Sequence, residues 1–303
     1  MRKLKYILLV IPFWLIAEAT FAQQSPFYTQ YMFNDYLVNP AVAGAYNYFQ
    51  VRANTRIQWL NIDQAPRTMS IAGYGPFKER DMGYGGYIYN DVTGAESRFF
   101  AGATYAYNIA VNDAMRISGG LTIGVMQYKL DGTLLELDDD IIDPVIPNTV
   151  ESKIFPDASV GFYLYASSFY VGLSAHHLLG NKYYDHPEVP NSTGESRLVQ
   201  HFNVSGGYFL ILNRDFAVSP SALIKFSLPN QFQVDVSAKV TYQKMVWACL
   251  SYRSSDAVAV ILGYDYENKF KFGISYDIIT SDIRKQSNGT IEVMLGYSFN
   301  KIK

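Results

Sequence analysis

The sequence predicts an all-β protein, a transmembrane antiparallel β-barrel of about 14 strands preceded by a cleaved signal peptide. Three observations carry that expectation. Residues 232–242 alternate without a break, placing Phe232, Val234, Val236, Ala238, Val240 and Tyr242 on one face and Gln233, Asp235, Ser237, Lys239 and Thr241 on the other. A period of two is a strand with one oily and one wet side. The same phase recurs along most of the chain, and no stretch after residue 22 sustains a helical period. Finally, 25 Tyr, 19 Phe and 3 Trp make up 16% of the residues while charged residues are only 17%, against about a quarter in ordinary soluble domains. Tyrosine tolerates one end in oil and the other in water, so such an excess suits a sheet that closes in a membrane.

The elements follow in order. Arg2, Lys3 and Lys5 form a positive n-region, Tyr6 to Ile16 an apolar run too short for a spanning helix, and Thr20-Phe21-Ala22 a small-residue cleavage site, so residues 1–22 are expected to be a signal peptide. No Cys follows the expected cut directly, which argues against a lipid anchor, and the single Cys249 cannot form an intramolecular disulfide. Residues 23–45 are rich in aromatics and amides but poor in alternation; they are expected to be an N-terminal arm or plug that folds into the lumen or lies at the periplasmic mouth. Residues 46–303 then form one barrel domain, a size compatible with a single large β domain.

Strands are expected at about 48–59, 66–74, 82–90, 96–110, 114–128, 155–166, 168–178, 197–211, 215–226, 231–242, 244–253, 257–266, 268–279 and 290–299. In the fifth, Met115, Ile117, Leu121, Ile123 and Val125 oppose Arg116, Ser118, Thr122 and Gly124; in the thirteenth, Phe270, Phe272, Ile274, Tyr276 and Ile278 oppose Lys271, Gly273, Ser275 and Asp277. The connections sort by parity. Even ones are tight, whereas the three longest, 129–154, 179–196 and 280–289, are all odd. Bacterial outer-membrane barrels with both termini inside show that sorting, with long loops outward and short turns facing the periplasm. A sandwich has no reason to do so.

The polar phase collects charges of both signs: Arg52, Arg56, Arg116, Asp235, Lys239, Arg253, Asp277 and Glu292 are expected to brace the lumen by pairing. A single-sign ring would point to ion selectivity instead. Chemistry beyond that is thin. Asp138-Asp139-Asp140 lacks the spacing and central glycine of a calcium loop. His176 and His177, adjacent on an expected strand, should face opposite ways and cannot chelate one ion. Ser174 and His176 share a face, as residues two apart on a strand do, a coincidence common in any Ser-rich strand, whereas a hydrolase needs a nucleophile, a His and an orienting group assembled on neighbouring strands. Cys249 lies in phase with Trp247, Ser251 and Arg253 as a structural residue. No enzyme activity, cofactor or metal is expected, and with a net charge of -2 and no basic patch, no nucleic acid partner.

Specific strings go further. QYMFNDYLVNPAVAG from Gln30 to Gly44, RIQW from Arg56 to Trp59 and APRT from Ala65 to Thr68 resemble the start of the PorP/SprF family of type IX secretion membrane proteins from Bacteroidetes. GYGGYIYNDVTG at 83–94, FYVGLSAHHLLG at 169–180, PSALIKF at 220–226, and Trp247 followed by SYR at 251–253 are similar to the same family. Near the end, where the family often shows a Gly-Ser-His-Glu-like string, this chain has Asn288-Gly289-Thr290-Ile291-Glu292, keeping Glu292 in place without the His.

The resemblance implies an outer-membrane component of the type IX secretion and gliding machinery. Its implied partners are secretion components in the periplasm and outer membrane, an exported surface protein or adhesin, and outer-membrane lipid. The acidic loop residues Glu136, Asp138, Asp139, Asp140 and Asp143 are the expected cargo contact. The alternative is an outer-membrane diffusion channel for small or hydrophobic solutes, which the same strand pattern permits.

Overall fold

The computed structural model describes residues 26–77, 81–135, 149–184, 196–227 and 231–299. Counting barrel strands only, the elements are β1 Phe49–Ile57, β2 Arg67–Pro76, β3 Met82–Thr93, β4 Glu96–Ala110, β5 Met115–Asp131, β6 Val150–Ala166 and β7 Phe169–His176. They continue as β8 His201–Tyr208, extended past Phe209 by Leu210–Ile211, then β9 Phe216–Ser227, β10 Gln231–Tyr242, β11 Val246–Arg253, β12 Ala257–Tyr266, β13 Phe270–Ile279 and β14 Thr290–Phe299. Each strand pairs antiparallel with its chain neighbours, and β1 pairs with β14 from Phe49↔Phe299 to Ile57↔Ile291. The sheet is therefore a closed barrel of 14 strands with no free lateral edge. Closure gives the backbone N–H and C=O groups partners without water, the condition for crossing lipid with strands. No helix among the described residues is long and apolar enough to cross a membrane.

Alternation decides which face is which. On β10, Phe232 is 70% exposed and Val236 51%, whereas the intervening Asp235 is 1% exposed. On β13, Ile274 is exposed while Ser275 and Asp277 are buried. The charged residue is inside and the oily one outside, the inverse of a soluble core.

Chain reversal at the even-numbered rim uses tight, locally closed turns. Gln243 and Lys244 have φ of 48° and 59°, and Glu267 and Asn268 have 51° and 55°. Two successive left-handed residues suit the twist of a two-residue hairpin. Elsewhere on that rim an Asn side chain closes the turn: Asn112 Oδ1 accepts from the amides of Ala114 and Met115, and Asn213 Oδ1 from those of Asp215 and Phe216.

Boundaries of four successive strands depart from the sequence reading. The fifth and sixth strands run on, to Asp131 and from Val150, because Lys129↔Ser152 and Asp131↔Val150 continue the ladder. The 129–154 loop thus shrinks to 132–149. The seventh strand stops at His176, since His177 takes φ 57°, a turn conformation rather than a strand one. The eighth begins at His201, Arg197 instead pairing with Lys182 in a small two-stranded ribbon.

Ile123, 62% exposed at the middle of β5, tests the outward face. Ile123→Arg is expected to destabilise the barrel by about 2–4 kcal/mol in a bilayer, measured by denaturant unfolding in lipid vesicles.

Candidate functional site

The barrel's interior is not left to water. Residues 26–48 run inside the strands, and their composition of aromatics, amides and small residues follows from what surrounds them. A 3-10 turn at Pro40–Gly44, capped by Asn39 whose Oδ1 accepts from Ala41 N, lies against the lower half of β4, β5 and β6. It fits because those strands carry glycine there. A Cβ on Gly120 would sit 2.4 Å from Ala41 N, and one on Gly161 2.0 Å from Asn39 Oδ1. Glycine in a strand commonly marks such an approach by another backbone. Side chains then fasten the arm: Asn39 Nδ2 donates to Phe162 O, Ser118 Oγ to Ala41 O, and Asn108 Nδ2 to Gly44 O.

Further along, Asp35–Val38 makes one helical turn. Tyr36 packs on Tyr74 with ring centroids 4.4 Å apart and meets Tyr87 edge-on, while Phe33 stacks on Trp247 at 4.1 Å. Asp35 accepts from the hydroxyls of Tyr46 and Tyr74. Burial pushes its carboxyl above the ordinary carboxylate range, with the Arg52 guanidinium and those hydroxyls pulling the other way.

The arm's first described residues reach the half of the barrel nearest the long connections, and there the inward charges converge. Arg56 lies 3.0 Å from Asp277 and 3.3 Å from Glu292; Arg253 lies 3.2 Å from Asp235, 3.1 Å from Asp256 and 3.3 Å from Asp277; Lys225 is 3.3 Å from Asp235. Three cations face four carboxylates in one contiguous network. Thr29 sits in its middle: its hydroxyl accepts from Arg56 and Arg253 and donates to Asp277. Glu292, wholly buried, accepts from the Thr29 amide at 2.7 Å, the Gln30 amide at 3.0 Å, Asn54 Nδ2 at 2.9 Å and Arg56. A carboxylate taken out of water needs this number of donors.

Of the eight charges expected on the polar phase, Arg56, Asp235, Arg253, Asp277 and Glu292 meet in that network. Arg52 is buried at the opposite end, donating to Gln50 Oε1. Lys239 lies over the Phe33 ring, 4.9 Å from its centroid. Arg116 stands at the short-turn rim against Asp81, part exposed. The loop residues Glu136, Asp138, Asp139, Asp140 and Asp143 lie outside the described residues, as does the expected signal segment.

Ser174 and His176 do share a face, but both are engaged by the arm: Ser174 Oγ and His176 Nε2 each donate to Val38 O. The expectation that His176 and His177 face opposite ways is overturned. The left-handed turn at His177 swings its ring back inside, where Nδ1 donates to Asp157 at 2.7 Å. Cys249 is buried with its thiol 3.7 Å from Met32 Sδ. Sequence reasoning missed the partners on the arm, chiefly Thr29 and Gln30; the signal available was the set of inward glycines. Beside the arm, under the long-connection rim, remains a cavity of about 360 Å³ lined by aromatic, His and carboxylate side chains.

The family described as type IX secretion system membrane protein PorP/SprF matches residues 20–297 of the sequence. The chain belongs to the PorP/SprF family. No curated protein matches it. Among solved structures it is similar to the CymD monoaromatic hydrocarbon channel, with 11% identity, a TM-score of 0.52, and coverage of 92% of this chain and 94% of that one. It is likewise similar to the Pseudomonas putida toluene transporter TodX, with 10% identity, a TM-score of 0.50, and coverage of 90% and 94%. Identities this low establish the barrel fold alone.

Membership in PorP/SprF makes the chain an outer-membrane barrel of the type IX secretion system, acting with other components of that system. Both family and fold are those of a secretion membrane barrel rather than of an enzyme class.

Two substitutions probe how this PorP/SprF barrel holds its arm. Glu292→Gln sets an amide against the Thr29 and Gln30 amides; losing a charged hydrogen bond worth about 1.5–3 kcal/mol should speed hydrogen exchange at those two amides by about ten- to a hundredfold, with β5 amides unchanged. Gly120→Val collides with Ala41 and should make the arm cleavable by added protease, while the barrel keeps its heat-modifiable gel mobility.

Proposed function

We propose that this barrel serves type IX secretion as a filled docking platform, binding or anchoring exported surface proteins at its long-connection rim. The observation that carries the reading is the occupied interior: residues 26–48 run along the lumen and are fixed by buried or part-buried hydrogen bonds to at least six strands. A barrel that fills its own bore offers surfaces more readily than a path. The rim supports this too, since β5 and β6 each run 17 residues and carry their hairpin past the 8-residue β7 beside them. By barrel convention that rim faces outward and the short turns face the periplasm, where the other secretion components would meet Arg116, Asp81 and the neighbouring turns.

A second reading, a diffusion path for small or hydrophobic solutes, is favoured by the aromatic-lined cavity beside the arm. Electrical recording separates the two. The native chain in a planar bilayer is expected to pass little current, and deletion of residues 26–45 to raise it by at least about tenfold, as expected when a wide lumen is emptied. Steady porin-like current through the native chain would favour the channel instead. Co-purification from native outer membrane is expected to bring down an exported surface protein, and its absence would remove the docking reading.

A further inference from the structure

The cylinder closes on itself, yet one strand outruns its neighbour. β7 stops at His176, and its last pair with β6 is Ala175↔Val160. β6 meanwhile stays paired with β5 as far as Val150↔Asp131. On the side that β7 has left, the chain turns away. After the left-handed His177, Leu178 N donates to Ala158 O, Asn181 Nδ2 donates to Pro156 O, and Tyr183 packs on Tyr128 with ring centroids 4.3 Å apart.

Those two bonds fix the direction of the peptide groups above them. Residues two apart on a strand send their N–H and C=O to the same side. Ile154, Ser152 and Val150 therefore point theirs away from β5, as Ala158 and Pro156 do, while Thr149, on the other phase, has its carbonyl taken by Gly132 N. On that outer side none of the three residues has a hydrogen-bond partner among the described residues. The result is a short free edge whose donor–acceptor pairs recur about every 6.8 Å. It ends downward at Pro156, which has no N–H to offer and which strands tolerate at an edge.

The edge stands in water rather than lipid. On the outward face of this hairpin Ile123 and Val125 give way to Gln127, Lys129 and Asp131 on β5, with Gln127 Nε2 donating to Ser152 Oγ and Lys129 lying 3.9 Å from Asp131. Proteins blunt an unused edge with charge, proline or a covering segment. Here the proline lies below the free stretch, and the side chains in phase with the free groups, Val150, Ser152 and Ile154, carry no charge, Ile154 being 69% exposed. Glu151 and Lys153, on the other face, are exposed and enter no ion pair among the described residues.

We propose that the edge of β6 from Val150 to Ile154 receives an extended strand of an exported polypeptide, adding it to the barrel sheet above the membrane. Such a strand brings backbone donors and acceptors at the matching spacing, and on one face a base and an acid two residues apart to meet Glu151 and Lys153. A second copy of this chain fits badly. Two barrels in one membrane are related by rotation about its normal, so both β6 strands rise in the same sense and turn opposite faces to a shared sheet. Glu151 and Lys153 of one copy would then lie beside the uncharged side chains of the other. Periplasmic components meet the opposite rim. The inference rests on the docking reading and names where and how the cargo is held.

Hydrogen exchange over residues 150–155, followed by mass spectrometry, compares native outer membranes with the full chain purified in detergent. The amides of Ser152 and Ile154 are expected to exchange at least about a hundredfold more slowly in the native membrane. Equal rates would overturn the proposal. Ser152→Pro and Ile154→Pro each delete one edge N–H while leaving the ladder to β5 intact, and heat-modifiable mobility verifies that both barrels form. Each should lower the exported surface protein that co-purifies with the chain by at least about tenfold, the effect of one ladder hydrogen bond lost with its partner left unpaired. Ser152→Ala, which keeps the N–H, should leave the amount unchanged. Equal co-purification by the native chain and both proline variants would overturn this inference and leave the docking reading standing. If the native chain brings down no exported protein, the docking reading falls and this inference with it.

Discussion

A carboxylate with no exposure to water must be surrounded by donors, and Glu292 is that carboxylate here. It sits on β14, the strand that closes the barrel against β1, and its donors come from both sides of that closure: Asn54 and Arg56 from β1, and the backbone of Thr29 and Gln30 from the arm. Neither strand alone supplies that set of donors. The arm is thus required by the barrel's electrostatics as much as the barrel is required by the arm's oily and aromatic side chains. Replacing such a network with apolar residues is often neutral for stability; what the charges add in this barrel is register, because only one placement of Thr29 satisfies Arg56, Arg253 and Asp277 together.

The fold was largely legible before any coordinates. Period-two alternation with charge on one face and aromatics on the other allows few solutions, and the pairing of long odd with short even connections selects the closed membrane form. The boundaries that shifted did so for local reasons invisible to alternation, such as the left-handed backbone of His177. The site was legible only in part. The inward charges could be named because each sits in phase with its strand, but which of them would meet depends on stagger around a cylinder, which no single strand reveals. Arg52 and Arg56 are four residues apart in sequence, yet one joins the upper network and the other lies near Asp35.

Inward glycines mark the path of the arm. Gly120, Gly161 and Gly273 all lie on the polar phase, and at each a methyl group would strike the arm. On a strand, an inward glycine says that something else needs the space. Read that way, their distribution over β5, β6 and β13 already traces a second chain crossing the lumen, which aromatic-rich residues 26–45 were available to supply. The same logic explains why Val38 O attracts Ser174, His176 and Asn203: a carbonyl pressed against a wall must be given donors from that wall.

The position of Thr29 on the β1–β14 seam has a consequence for how the molecule comes into being. The arm precedes β1 directly in the chain, and its anchoring groups exist as a set only when the last strand has met the first. Sealing the cylinder and completing the arm's anchorage at Thr29 therefore coincide, like a zip that catches its own lining as it closes. An open sheet in the membrane would have no such seam, so the arm finds its full set of partners only in the closed cylinder.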